Sequence, residues 1–395
     1  MAASKEHPVP PAPPWRFLII DRYLLRQFVQ SFVICFCSLT GLYIVIDGFG
    51  NLEEFINEAH KQGSLMTVMG EYYAYRSLSF FDLASPVLTL IAAMFTVTWI
   101  QRHNELTALQ AAGIPKARIM RSVIVAAAVI VGLSVANREF VIPRVRSHLS
   151  FNAQNLGGRN GKMLQPRYDN ATVVWLGGNQ SRTYAAEQRI EKPDFYLPSG
   201  LDRYGARLTA ANAFYRPAEG DRPAGYLFEH VELPAGLASQ TSIALGNRPV
   251  IITPRDAAWL KEDECFVASE VSFEQLAGGS TWQQFSSTFE LIQSLRNRSL
   301  DFGAEARMAI HARIMQPVLN MTLLFLGLPL VLARSNRNVF VAIGWCVGLV
   351  VAFMLVTFTC QYLGTNYWFE PALAAWLPAM IFIPCAVAMS QPFRE

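Results

Sequence analysis

Gln101–Pro115, QRHNELTALQAAGIP, is a short polar stretch pinned between two long hydrophobic runs, and its reading decides the fold. It carries dense charge and is too brief to be a domain. The pattern predicts a small helix. Asn104 is the candidate N-cap, with Glu105 in the first turn, and Leu106 and Leu109 share a face at i, i+3. Gly113 stands where a left-handed residue ends a helix, and Pro115 prevents continuation. A capped helix lying between two membrane spans reads as a handle that something on the cytoplasmic side grips.

The runs on either side justify the word span. Hydrophobic residues make up 52% of the 395 and charged residues only 16%, against roughly 25% in globular domains. Mean hydropathy is +0.24, and the apolar excess is clustered. Six runs are long enough to cross a ~30 Å hydrocarbon core at ~1.5 Å per residue. They lie at about Phe28–Asp47, Phe80–Ile100, Ile119–Ala136, His311–Ala333, Val339–Gly364 and Pro371–Ser390. The first is too long for a signal-peptide core and lacks a cleavage pattern, so it is read as an anchor. The chain divides into a Pro-rich cytoplasmic tail at 1–14, expected to be disordered, spans one to three with the short helix at 15–143, a polar region at 144–305, and spans four to six at 306–395.

Charge bias orients these spans. Arg22 and Arg26 precede span one, and Arg102, Lys116, Arg118 and Arg121 separate spans two and three. Arg334 and Arg337 separate spans four and five, and Arg394 lies near the last residue. The alternate connections carry little: Lys61 and Arg76 in one, nothing basic in Thr365–Glu370. The positive-inside rule therefore puts both termini and Gln101–Pro115 in the cytoplasm and the polar region outside.

That outer region shows strand signals. Ala171–Leu176, Arg182–Ile190, Ala206–Tyr215 and Gly225–Leu233 are β-type runs punctuated by Gly, Pro and Asn, as in an all-β sandwich or roll. Ser286–Arg296 changes period and predicts a helix leading back to the membrane. The fold class is thus a six-span α-helical membrane protein with an inserted extracytoplasmic all-β domain.

Enzyme signatures fail on inspection. Gly157–Lys162 mimics a phosphate loop, but G-x-x-x-x-G-K needs a glycine where Leu156 stands. There is no G-x-S-x-G and no H-E-x-x-H, and the six histidines are scattered. Cys35 and Cys37 lie in an apolar run and read as packing rather than as a metal site. No cofactor and no metal are expected, and a net charge of +3 argues against nucleic acid. Energy from ATP would have to arrive from another chain.

Several polar residues keep two readings. Glu105 is either a solvated first-turn acid worth ~0.3–1 kcal/mol to the helix dipole or the contact for a partner's socket, with Leu106 and Leu109 as apolar anchors. His311 and Arg313 open span four as interface anchors or as contacts for an anionic headgroup. Asp47 and Asp82 lie at the outer ends of spans one and two, where water reaches them.

Arg102–Gly113 resembles the R-x-x-E-L-x-x-L-x-A-x-G coupling-helix segment of the LptF/LptG permeases, the membrane subunits of the lipopolysaccharide-extracting ABC transporter. Ile20–Arg26 is similar to that family's opening, Glu139–Pro143 to its exit from span three, His311–Pro317 and Gly327–Leu330 to its fourth span, and Ala374–Pro378 to its sixth. The resemblance implies a β-jellyroll that passes lipid to an LptC/LptA-like periplasmic protein, and a homologous second permease across a lipid cavity. It also implies a cytosolic ATPase dimer gripping Arg102, Glu105, Leu106, Leu109 and Gly113, with Glu105 as the coupling acid. Asp21-Arg22-Tyr23 leans toward the LptG-like subunit. One departure stands out: Leu42–Asn51, where LptG-like members carry lysines, has an acid and no base. Arg313, His311 and Arg76 are the remaining lipid-contact candidates. An ion-driven secondary transporter would carry paired carboxylates mid-membrane, and a merely anchored ligand-binding protein would not need six spans.

Overall fold

The computed structural model describes residues 19–390, apart from 154–160, 179, 186, 198–204, 221, 247, 298, 300–302 and 334–338. The tail at 1–14, Arg334, Arg337, Arg394 and most of the phosphate-loop mimic fall outside the described residues.

The first half builds α1 (Ile19–Gly50), α2 (Leu52–Gln62), α3 (Leu65–Arg102), α4 (Glu105–Ala111) and α5 (Lys116–Ala136). Helix α5 runs through a π-helical stretch, Asn137–Val141, into α6 (Ile142–Arg144), and α7 (Arg146–Leu149) follows. After the β region come α8 (Phe273–Phe285), α9 (Thr288–Arg296), α10 (Gly303–Ala333), α11 (Val339–Thr365) and α12 (Pro371–Met389). Six helices are long and apolar enough to cross a membrane: α1, α3, α5 with its extension, α10, α11 and α12.

Two spans are longer than their hydropathy suggests. Helix α3 has 38 residues, ~57 Å at 1.5 Å per residue, and starts at Leu65 rather than Phe80. Its polar first part is held by tertiary packing, because Val68, Tyr72 and Tyr73 bury against Phe55 of α2 and Ala153. Helix α1 starts at Ile19 rather than Phe28. It touches its neighbours through few side chains, chiefly Leu24, Phe28 and Phe32, and only 6% of its apolar window is buried. Against 61% for α3, that makes α1 the helix most exposed to its surroundings.

The bundle core joins Leu24 and Phe28 of α1 with Leu88, Leu90 and Val97 of α3, Ile119 and Val123 of α5, and Leu323 and Leu328 of α10. Helix α10 lies tight on α3 because Gly327 lacks a side chain. A Cβ there would sit 2.3 Å from Leu90 Cδ1.

Between the helical halves lies one antiparallel sheet of short strands: β1 (Lys162–Met163), β2 (Arg167–Asp169), β3 (Val174–Leu176), β4 (Arg182–Tyr184), β5 (Arg189–Glu191), β6 (Asp194–Tyr196), β7 (Arg207–Arg216), β8 (Gly225–Leu233), β9 (Ile243–Leu245), β10 (Arg248–Ile252) and β11 (Cys265–Ala268). The order is β1-β4-β5-β7-β8-β11-β10-β9, and β2-β3-β6 joins at β7. Strand β7 has ten residues and pairs with β6 at Arg207–Thr209, with β5 at Asn212–Phe214 and with β8 along its length. Side chains alternate inward to a core that includes Phe195, Tyr226 and Phe228.

Two expected strands are shorter than their sequence runs. Asp169 accepts from the N–H groups of Ala171 and Thr172, which turns the chain, so only Val174–Leu176 of Ala171–Leu176 is strand. Arg182–Ile190 folds back on itself as the β4–β5 hairpin, with Arg182 opposite Glu191. The helix expected at Ser286–Arg296 is α9, started by a capping box between Ser287 and Glu290. Helix α8, with a capping box at Ser272 and Gln275, was not foreseen.

Candidate functional site

Helix α4 is a seven-residue element fastened at both ends by the backbone. Asn104 occupies the left-handed region at φ 58°, ψ 13°, and its side chain makes no cap. The expected N-cap is therefore a conformational pivot, a role that asparagine tolerates better than most residues. The other end is a Schellman motif: Gly113 N–H donates to Gln110 O at 2.9 Å and Ile114 N–H to Leu109 O at 3.0 Å. Gly113, at φ +81°, takes the conformation that a Cβ would penalise.

The apolar face of α4 turns inward. Leu106 is 8% exposed in the bundle core, and Leu109 and Ile114 pack against it. This corrects their reading as anchors for a partner. A lone seven-residue helix is too short to hold itself in water, so these side chains are consumed in attaching α4 to its own bundle. The outward face consists of Arg102, Thr107, Ala108, Gln110 and Ala111, all exposed. Glu105 sits at the edge, half-buried, and its Oε1 accepts a hydrogen bond from the Tyr23 hydroxyl at 3.3 Å. His103 stacks on Trp99 beside it, ring centroids 4.4 Å apart. Tyr23 entered the sequence reading only as part of a motif. Its position one turn into α1, among arginines, was the available signal.

The opposite end of the bundle is dense with ion pairs. Asp82 of α3 is 8% exposed and meets Arg138 of the π-helical stretch at 2.7 Å, while the Ser134 hydroxyl donates to its other oxygen at 3.2 Å. The expectation that water reaches Asp82 is thus corrected: a cation neutralises it inside the protein. Arg138, which sequence reading missed, also donates to Gln316 of α10. Glu139 accepts from Thr288 through both its N–H, at 2.9 Å, and its hydroxyl, at 2.5 Å. Asp47 accepts from the Tyr73 hydroxyl at 2.9 Å.

The three lipid-contact candidates do not share a partner. Arg313 donates to the carbonyls of Gln283 (2.8 Å), Gln284 (2.9 Å) and Ser286, closing the C-terminal end of α8. Arg76 donates to the Tyr72 hydroxyl at 3.2 Å and to Asn152 at 3.5 Å. His311 is half-buried on α10. Among the described residues no three His, Cys, Asp or Glu side chains gather as metal ligands. A groove of about 230 Å³ between α3 and α11 is lined by Leu90, Met94, Val347 and Val350 and is almost wholly apolar.

The family model described as lipopolysaccharide export system permease LptF/LptG matches residues 22–192 and 212–391, so it takes in Tyr23, α4 and all six spans. Among curated proteins no relative matches. The matched description covers both subunit types without separating them. With six apolar spans and a match over nearly its whole length, the chain belongs to the LptF/LptG family of lipopolysaccharide export permeases, integral proteins of the inner membrane.

Proposed function

We propose that this chain is the transport subunit of an ATP-driven exporter that lifts lipopolysaccharide out of the inner membrane and delivers it to a periplasmic LptC/LptA-like acceptor. Hydrolysis belongs to a separate cytosolic ATPase dimer, and a homologous second permease completes the lipid cavity. The observation that carries this reading is α4 itself. It is locked by a Schellman motif, bolted inward by Leu106 and left with Glu105 and a polar face for a partner. Arg22, Arg26, Arg102, Lys116, Arg118 and Arg121 flank the same end of the bundle, which supports a cytoplasmic location for α4 and a periplasmic one for the sheet. The sheet, as residues 144–305, then acts as the jellyroll that receives lipid. We assign headgroup contact to Arg76 and His311, and the α8 joint to Arg313, whose guanidinium is already shared among three carbonyls.

The test is Glu105→Lys in the tagged chain, purified in mild detergent with its ATPase and second permease. Loss of the ATPase, or ATP hydrolysis without lipid release, is expected. A complex that assembles and transports at the full rate removes Glu105 from the coupling role.

A further inference from the structure

The contact between Glu105 and span one points past docking to the route a movement takes afterwards. Helix α1 is the least buried span. Among the described residues its hydrogen bonds to other elements near this end are the Tyr23 hydroxyl on Glu105 Oε1, at 3.3 Å, and the Ser122 hydroxyl on Asp21 Oδ1, at 2.6 Å. Both reach elements that a displaced α4 would carry along: α4 itself and α5, joined to it through Gly113–Pro115. Leu24, next to Tyr23, lies in the same core as Leu106 of α4. Glu105 Oε2 has no hydrogen bond among the described residues, so one carboxylate offers one oxygen to span one and one to whatever docks.

We infer that Tyr23 is a positioning residue that makes Glu105 a two-sided relay. The phenol holds Oε1 so that Oε2 faces a basic or N–H donor group of the docked ATPase, and it passes the displacement of α4 to the cytoplasmic end of α1. Span one is then the helix that the power stroke moves first. This rests on the reading of Glu105 as the coupling acid and adds the identity of the span that receives the push.

The experiment uses the complete complex in proteoliposomes and measures fluorescent lipopolysaccharide released per ATP hydrolysed, a ratio independent of how much ATPase is bound. Tyr23→Phe keeps the ring and removes only the hydroxyl. The ratio is expected to fall about three- to tenfold, the factor supplied by a hydrogen bond of ordinary net strength. Glu105→Ala is expected to lower it as well, and Tyr23→Phe added to Glu105→Ala should cost nothing further, because the acceptor is already gone. An unchanged ratio in Tyr23→Phe beside a loss in Glu105→Ala overturns the relay and leaves the coupling acid standing. An unchanged ratio in Glu105→Ala overturns both. A Tyr23→Phe loss that persists in full in the Glu105→Ala background also overturns the relay, since it would then act through another partner.

Discussion

Replacing Arg138 with alanine should unsettle the bundle more than replacing Asp82, although both belong to one ion pair. The two charges are 2.7 Å apart. At an effective dielectric of ~20 their gross attraction is about 6 kcal/mol. Desolvating two ions costs several kcal/mol each, so the intact pair contributes little net stability. Removing one member is different, and the cost depends on which one stays. The Asp82 side chain keeps 11% of its exposure and Arg138 keeps 24%. Arg138→Ala strands a carboxylate with only the Ser134 hydroxyl for company and should cost about 3 kcal/mol, the low end for a broken buried pair. Asp82→Ala leaves a long, quarter-exposed side chain that can swing toward water, at about 1 kcal/mol. Asp82→Asn combined with Arg138→Gln, which removes both charges and keeps polar atoms in place, should return most of the stability. Reversible unfolding in mixed detergent micelles, followed by tryptophan fluorescence, gives the four free energies of the cycle. Equal costs for the two alanine variants, or a double variant that merely sums the singles, would refute the reasoning.

Gly327→Val should destabilise by about 1–3 kcal/mol through overpacking, because the new Cβ would stand 2.3 Å from Leu90 Cδ1, and Leu90→Ala in the same chain should recover part of that loss in the same unfolding assay. Asp256 accepts from the Ser242 N–H at 2.6 Å, and this hydrogen bond holds its carboxyl below the ordinary carboxylate range. Its contribution is therefore present above the unfolded pKa of ~3.9 and is lost as pH falls through the lower folded value. Asp256→Asn should flatten the pH dependence of unfolding below pH ~4, and an unaltered slope would count against the assignment.

The six spans were legible because hydrocarbon thickness leaves a long apolar run little choice, and β7 and β8 because they alternate cleanly over ten and nine residues. What escaped has physical causes. Leu65–Ser79 is too polar to look like a span, yet Tyr72 and Tyr73 make it helix by packing on Phe55. Ala171–Leu176 looks like one strand until the Asp169 carboxylate claims two N–H groups and bends it. At the site, Gly113 was readable from its chemistry alone, since the helix had to end in a left-handed residue. The inward turn of Leu106 was not, because an i, i+3 pair of leucines looks the same whether it meets its own core or a partner's groove. Partners distant in sequence, such as Tyr23 with Glu105 and Arg138 with Asp82, lie beyond any local pattern.

The π-helical stretch Asn137–Val141 imposes a rule on how this protein can evolve. A π turn holds one residue more than the α turn it replaces, and each residue of an α-helix turns the chain by about 100°. Neighbouring side chains there serve different masters: Arg138 reaches Asp82 and Gln316, and Glu139 reaches Thr288. Deleting a single residue would restore a regular helix and swing everything after it by about a quarter turn, so that the two sets of partners would fall out of phase. Substitutions in this stretch can be absorbed one at a time. A change of length cannot, and among natural relatives the residue count between Asp82 and Glu139 should be far more constant than the residues themselves.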